Sequence, residues 1–231
     1  VAEPVWTPGQ AVLRGNHQLS HKVAAYIRES IMAGRFEAGE FLRTETIAEQ
    51  MAVSHTPVRE ALVLLQSEGT LRWEPRRGFR VTLVTDQDVH DLFQVQAYIA
   101  GELAARAAQI LDETAVRGLR QLQEQLGHAA ESGDAAAVDA YNHEIHRRIN
   151  KASPSNRLGI LLEQTVKYVP LGFFGTIEGW SQASAHDHFA IFDAIEAGDA
   201  GAAREAMRAH IVHIGELLEE HLRTPRQPSA D

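Results

Sequence analysis

An abrupt change of hydrophobic periodicity near Val84 constrains the fold more than any other feature of the sequence. Before that point helical and alternating patterns follow one another. Beyond it the strand signal disappears. A chain written this way cannot close one mixed sheet around one core; it calls for a small α+β unit followed by an all-helical one.

In the first part, Leu19, Val23, Ile27 and Ile31 recur on one helical face, and Gly34 ends that helix. Phe36-Glu37-Ala38-Gly39-Glu40 reads as a turn. Thr44 or Thr46 is the expected cap of a second helix carrying Ile47, Ala48 and Met51. Ser54 is the expected N-cap of a third, with Pro57 in its first turn, Ala61, Leu62 and Leu65 along it, and Gly69 closing it. Leu71-Arg72-Trp73 and Phe79-Arg80-Val81-Thr82-Leu83 alternate around Glu74-Pro75-Arg76-Arg77-Gly78, the pattern of a two-stranded hairpin.

From Thr85 the pattern is helical. Asp86 is the expected cap of a helix to about Ile110 and Asp112 of another to about Ser132. Further helices are expected over 134–152, 155–172, 179–197 and 199–222, with Gly133, Pro154 and Gly198 between them. Ala, Leu and Glu abound there, while β-branched residues are few. The expected class is mainly α: an N-terminal winged helix-turn-helix of three helices plus a β-hairpin wing, then an all-α antiparallel bundle. The expected boundaries are a mobile arm over 1–16, the winged unit over 17–84, the helical domain over 85–223 and a flexible tail over 224–231. Pro4, Pro8, Gly9 and Gly15 suggest the arm, and Pro225 and Pro228 the tail.

Charge divides along the same line. The 231 residues hold 22 Lys and Arg against 31 Asp and Glu, a net −9, which argues against a non-specific coat on nucleic acid. Residues 15–84 hold nine basic and eight acidic side chains, whereas 85–231 hold twelve and twenty-two. The acidity therefore lies in the helical part, leaving the first unit nearly neutral. Cysteine is absent, which removes disulfides, thiolate nucleophiles and Cys-type zinc sites; a transition metal here requires His and oxygen ligands. No apolar run reaches the ~18–20 residues of a membrane span, and no secretory pattern opens the chain, so a cytoplasmic location is expected.

A helix, a short turn over Met51-Ala52-Val53-Ser54 and a second helix with a polar start is an arrangement that enters a DNA major groove. The N–H groups and hydroxyls of Ser54 and Thr56 suit phosphate oxygens, and Arg59 lies one turn further along that face, in reach of guanine or phosphate. Arg76 and Arg77 beside Gly78 suit a wing lying along the backbone or minor groove. The bland alternative is a small helical domain in which Arg59 pairs with Glu60 or Glu68.

Over about 65 residues the sequence resembles the winged helix-turn-helix of GntR-family transcription regulators. The likeness is carried by Phe36-Glu37-Ala38-Gly39-Glu40-Phe41-Leu42 and by Ile47 to Leu62 with its Thr56-Pro57-Val58-Arg59-Glu60-Ala61-Leu62 core. Leu65-Gln66-Ser67-Glu68-Gly69 and Arg77-Gly78-Phe79-Arg80-Val81 continue it. The family usually places Arg where His55 stands, Gly where Ala52 stands and an acidic residue where Thr44 stands. Because the family's Arg at the His55 position contacts DNA, the resemblance implies an altered operator preference here.

The helical part holds a second constellation. Asn142 and His146 are four apart on one helical face, His188 lies in another helix and His210 in a third. One oxygen and three imidazoles converging in a bundle would hold a divalent ion with open positions. With twelve histidines, such spacing also arises without a site. Asn142 to Leu158, His188 to Asp199 and Ala203 to His210 resemble the FCD-type ligand-binding domain of the FadR subgroup, over about 135 residues. That resemblance implies a metal held by Asn142, His146, His188 and His210, zinc first, with nickel or another divalent transition metal as alternatives. Asn in place of Asp leaves one less negative charge on the ion.

The resemblance further implies a small organic acid as effector. Gln96 stands near the position where many members carry an effector-binding Arg, and Arg147 and Arg148 flank the metal helix, where a solvated face is the plainer reading. Tyr98, Phe173, Phe174 and Trp180 line an effector cavity or are ordinary core, and His143, His186 and His213 are expected to be solvated. The expected function is that of a homodimeric transcription regulator, a repressor in its commoner form. It would bind a pseudo-palindromic double-stranded DNA operator and be switched by the acid. A direct metal sensor is the alternative. A metal-dependent hydrolase is the weaker one, since no carboxylate is spaced as a general base and the winged unit would have no role.

Overall fold

The computed structural model describes residues 8–166, 168, 174 and 177–223, with side chains from residue 18 onward. Contacts divide it into two compact units that change over between Val84 and Thr85.

In the first unit, helix α1 (Pro8–Met32), strand β1 (Phe41–Leu42), helices α2 (Thr44–Met51) and α3 (His55–Ser67), and strands β2 (Leu71–Glu74) and β3 (Gly78–Val81) follow in order. Val23, Ile27, Ile47, Val58, Leu62, Leu65, Leu71 and Val81 form one buried cluster. This is the apolar set that the periodicity marks. Arg28 ties α1 to the end of α3, its Nε donating to Glu68 Oε2 at 3.1 Å and its Nη2 to Glu68 Oε1 at 2.8 Å.

Three local expectations change. The helix that periodicity starts at Leu19 begins at Pro8, so the latter part of the expected arm is helical. Proline fits a first helical position, and Gln10, Ala11 and Leu13 continue it at little cost. Residues 1–7 and the expected tail 224–231 lie outside the described residues. Neither Thr44 nor Thr46 caps α2; Arg43 holds the N-cap position, without a side-chain bond, because Thr44 already has helical geometry. The wing has a third strand: β1 pairs antiparallel with β3, Phe41 opposite Arg80, giving the order β1-β3-β2. Two residues are too short a run to show alternation.

The turn between α2 and α3 depends on Ala52, whose φ of 53° is left-handed and whose N–H closes α2 on Ala48 and Glu49 oxygens. At the wing tip, Arg77 N–H donates to Glu74 O at 3.1 Å, with Pro75 second and Arg76 third at φ 65°, as in a type II turn.

The second unit contains α4 (Asp86–Ala107), α5 (Glu113–Ser132), α6 (Ala135–Ala152), α7 (Asn156–Val166), α8 (Trp180–Glu196) and α9 (Ala200–Arg223). Thr85, not Asp86, caps α4, through a capping box with Asp88. Asp112 caps α5 and Asp134 caps α6, each accepting from the N–H three residues on. Leu103, Leu119, Leu126, Ile145, Ile149, Trp180 and Phe192 are fully buried between the helices. Helices α4 and α9 approach closely where Gly215 meets the Phe93 ring, since a Cβ there would lie 2.7 Å from it. Arg204 Nε donates to Glu102 Oε1 at 2.6 Å across the same pair. Among the described residues, no helix is long and apolar enough to cross a membrane.

Ala52 yields a direct prediction. An exposed non-glycine residue in the left-handed region is strained, and glycine removes the Cβ that causes it. Ala52→Gly is expected to stabilise the winged unit by about 1 kcal/mol in urea unfolding; a loss of stability would show that Ala52 is unstrained.

Candidate functional site

On the winged unit, the segments expected to face DNA are solvent-exposed. Ser54 caps α3 by position, but its hydroxyl makes no bond to the helix, so hydroxyl and first-turn N–H groups remain open to a phosphate. Ser54, His55, Thr56 and Arg59 are exposed, whereas Pro57, Val58, Ala61 and Leu62 turn inward. Burial of alternate turns of α3 thus leaves one polar face outward. Glu68, a possible partner for Arg59, is already held by Arg28. At the wing tip Arg76 and Arg77 are exposed, and Gly78 has a φ of 99°. The Arg77 guanidinium lies 4.3 Å from the centre of the Phe41 ring and 3.5 Å from Glu74 Oε2, which steadies the tip while leaving the arginine in solvent.

In the helical unit, α6, α8 and α9 bring three imidazoles together. His146 Nε2 lies 3.2 Å from His210 Nε2 and 3.3 Å from His188 Nε2. The ligand atoms of all three lie within 4.8 Å of one another. His188 is wholly buried and His210 is 3% exposed; His146 is partly buried.

The surrounding bonds fix which ring nitrogen carries the proton on His188 and His210. Gln123 donates from Nε2 to the carbonyls of Ser184 at 3.3 Å and Ala185 at 2.8 Å, so its Oε1 accepts from His188 Nδ1–H at 2.7 Å. Asp187 Oδ2 accepts from His210 Nδ1–H at 3.2 Å and from His213 Nδ1–H at 2.8 Å. His188 and His210 therefore both present Nε2 lone pairs to the centre, and His146 can donate a proton to only one of them.

The same crowding appears in the acid–base behaviour. Burial, with His210 and His143 adding, pushes the His146 imidazole from its ordinary 6.5 down to about 3. Burial, then His210 and His146, holds His188 well below its ordinary value. For Asp187, burial raises the carboxyl's pKa, but the bonds from His210 and His213 outweigh it and the net shift is downward. Two imidazoles are thus held neutral beside a carboxylate held ionised.

This arrangement fits a cation. Three nitrogens around one tetrahedral ion at ~2.0–2.1 Å would stand about 3.3 Å apart; two of the three separations, 3.2 and 3.3 Å, match this, and the third lies within 4.8 Å. Asn142, one turn before His146, has an enclosed Oδ1 with no hydrogen-bond partner. A buried acceptor-only oxygen one helical turn from three converging imidazole nitrogens is a donor set that suits a divalent ion. Gln123 and Asp187 would then be the outer partners that orient such imidazoles.

The remaining site candidates lie elsewhere. Gln96 is buried and donates from Nε2 to Thr165 O at 3.2 Å. Arg147 is exposed and grips Glu144, with Nε to Oε2 at 2.5 Å and Nη2 to Oε1 at 2.6 Å; Arg148 joins from the other side at 2.8 Å. The pair lines a surface cleft with Leu111, Ala115, Leu119 and Lys151. Arg147 first, then Arg148, holds the Glu144 carboxyl at about 2. Tyr98 is exposed beneath the Arg208 guanidinium, while Phe174 stacks on the buried Trp180. Phe173 lies outside the described residues. His143 and His186 are exposed; His213 is exposed too, yet it is bonded to Asp187 rather than merely solvated.

Gln123 and Asp187 were not among the residues singled out from the sequence. Gln123 carried a signal: it interrupts the stripe Val116, Leu119, Leu126, which is buried on α5, and a lone amide in an apolar stripe needs a partner.

Comparison with known proteins agrees with both units. Residues 19–81 match the bacterial regulatory proteins of the gntR family, and residues 91–213 match the FCD domain. The chain is 26% identical over 202 residues to a Bacillus subtilis (strain 168) protein named an uncharacterized HTH-type transcriptional regulator, YdhC, covering 85% of this chain and 89% of that one. It is 28% identical over 204 residues to a probable D-xylose utilization operon transcriptional repressor of Paenarthrobacter nicotinovorans, covering 84% and 85%. The solved structure of E. coli McbR/YncC superposes with a TM-score of 0.69 at 22% identity, over 89% of this chain and 99% of that one, and so shares its fold. With the FCD match inside its helical unit and the gntR match inside its winged unit, the chain belongs to the GntR family of transcriptional regulators, a non-enzymatic role, in the branch that carries an FCD domain.

Proposed function

We propose that the protein is an operator-binding repressor whose DNA affinity is set by a divalent metal and a small organic acid in the helical unit. The observation that carries this reading is the convergence of the His146, His188 and His210 Nε2 atoms within 4.8 Å, beside the partnerless Asn142 Oδ1. Zinc is the first candidate for the ion, since three imidazoles and one neutral oxygen suit its coordination, with nickel second. The ion would supply a Lewis-acid position that a carboxylate can occupy when the shell expands from the four protein ligands to five. The chain's own contribution is to orient the imidazoles through Gln123 and Asp187 and to keep them neutral by burial.

Ser54, His55, Thr56 and Arg59 would enter the major groove while Arg76, Arg77 and the Gly78 backbone follow the phosphates. A homodimer would match a pseudo-palindromic operator through its own two-fold symmetry. Acid binding would shift the balance between operator-competent and incompetent states, a coupling of ~1–3 kcal/mol. Gln96 and Arg147 remain candidates for contact with the acid. Gln96 bonds to Thr165 O and Arg147 is paired with Glu144, so either would have to exchange that partner to meet the acid.

Three outcomes are expected. On a DNA fragment selected by the unsubstituted protein from a random pool, Arg59→Ala should weaken binding by about tenfold or more with the circular dichroism spectrum preserved; unchanged affinity removes Arg59 from the interface. Elemental analysis should find one divalent ion per chain, depleted in His146→Ala and in His210→Ala. Full occupancy in both variants would refute the site. Dialysis against chelator separates this reading from a direct metal sensor, in which metal removal alone would switch DNA affinity without any acid.

A fourth outcome concerns pH. In metal-free protein the folded state disfavours protonated His146 and His188, so the unfolded chain binds protons first. Stability present above pH 6.5 should then be lost as pH falls toward about 3, and His146→Ala should flatten that loss. A metal-free protein with equal urea midpoints at pH 7.5 and 5 would contradict this.

A further inference from the structure

Ser184 is wholly buried, and its Oγ has no hydrogen-bond partner. A serine inside a helix ordinarily returns its hydroxyl to the carbonyl one turn back; Ser184 does not, and an enclosed hydroxyl left unbonded is costly. It stands one turn before His188, and its own carbonyl is held by the Gln123 amide that orients that imidazole.

The helix directions place this hydroxyl relative to the metal ligands. Along α5, Gln123 bonds at Ser184 and Ala185, whereas Arg120 reaches Asp193 at 2.7 Å and Glu196 at 2.5 Å, so α5 and α8 run antiparallel. Helices α5 and α6 are joined through Gly133 and Asp134 alone and pack against each other as an antiparallel hairpin. It follows that α6 and α8 are parallel. Asn142 and Ser184, each four residues before a ligating histidine, therefore lie on the same side of the imidazole cluster, about 6 Å along the helix axes.

Of the three partnerless buried oxygens, Asn142 Oδ1, Asn150 Oδ1 and Ser184 Oγ, the two that precede a ligating histidine by four residues differ in chemistry. The Asn142 amide oxygen only accepts, which suits a cation. The Ser184 hydroxyl has a proton to give, and a cation offers it no acceptor; a carboxylate seated on the cation does. We propose that Ser184 is the acid-reading residue of this site. Its Oγ–H donates to one oxygen of the effector's carboxylate while the other oxygen takes the open metal position. The inference rests on the metal-and-acid reading above and adds to it a residue that discriminates a carboxylate from ligands without a second acceptor oxygen.

The test uses the full chain loaded with Co2+, whose visible bands report its ligands, with acetate as the probe. The unsubstituted protein should show a saturable band shift with acetate. Ser184→Ala should take up Co2+ with the same affinity but need about tenfold more acetate, the loss expected for one charge-assisted hydrogen bond. Metal-free Ser184→Ala should also melt at a higher temperature, since it lacks the unbonded hydroxyl. An unchanged acetate titration overturns the proposal, and so does a lower melting temperature, which would mark a hydroxyl already bonded within the fold. If Co2+ binds and neither protein responds to acetate, this inference alone falls. If neither protein takes up Co2+, the metal reading falls and carries this one with it.

Discussion

Three imidazole nitrogens brought to one point inside a helical bundle, two of them fixed as lone pairs, are the constraint around which the second unit is organised. His188 and His210 cannot turn their protons toward the centre, because Gln123 and Asp187 hold those protons on the opposite nitrogens. Such a cluster repels itself unless protons are kept away or a cation enters. Burial and mutual proximity do the first, lowering His146 to about 3. A divalent ion would do the second and convert an unfavourable contact into a bonded one. The close α4–α9 packing at Gly215 and Phe93 and the α5–α8 contacts through Gln123 and Arg120 hold the three ligand helices in that relation.

The winged unit follows a different logic. Its core is local and apolar, and its exposed face is polar because α3 buries Pro57, Val58, Ala61 and Leu62 and turns Thr56 and Arg59 outward. A nearly neutral reading unit beside an acidic helical one gives little background attraction to DNA. Operator binding would then depend on the few groove and phosphate contacts, which an effector can switch with modest energy.

Much of this was legible in the sequence. The change of period at Val84 gives two units because helical and alternating patterns differ in repeat, and the Asp112 and Asp134 caps follow from side-chain chemistry alone. The candidate ligand set came from Asn142 and His146 at one helical turn together with family resemblance. Spacing by itself could not bring His188 and His210 to the same point, since that depends on how distant helices pack. Strand β1 was not legible, because two residues carry no alternation, and neither was the helical start at Pro8. Gln123, Asp187 and Ser184 escaped for a shared reason: each is defined by what it faces across a helix interface. A sequence shows only that a polar residue occupies an apolar stripe.

X-ray absorption at the metal edge, on protein loaded with one equivalent of Zn2+, tests the central claim most directly. The account predicts a first shell of three imidazole nitrogens at ~2.0–2.1 Å with oxygen completing it, including the outer-ring scattering that marks histidine. A shell of oxygen alone, or one lacking imidazole scattering, would contradict it.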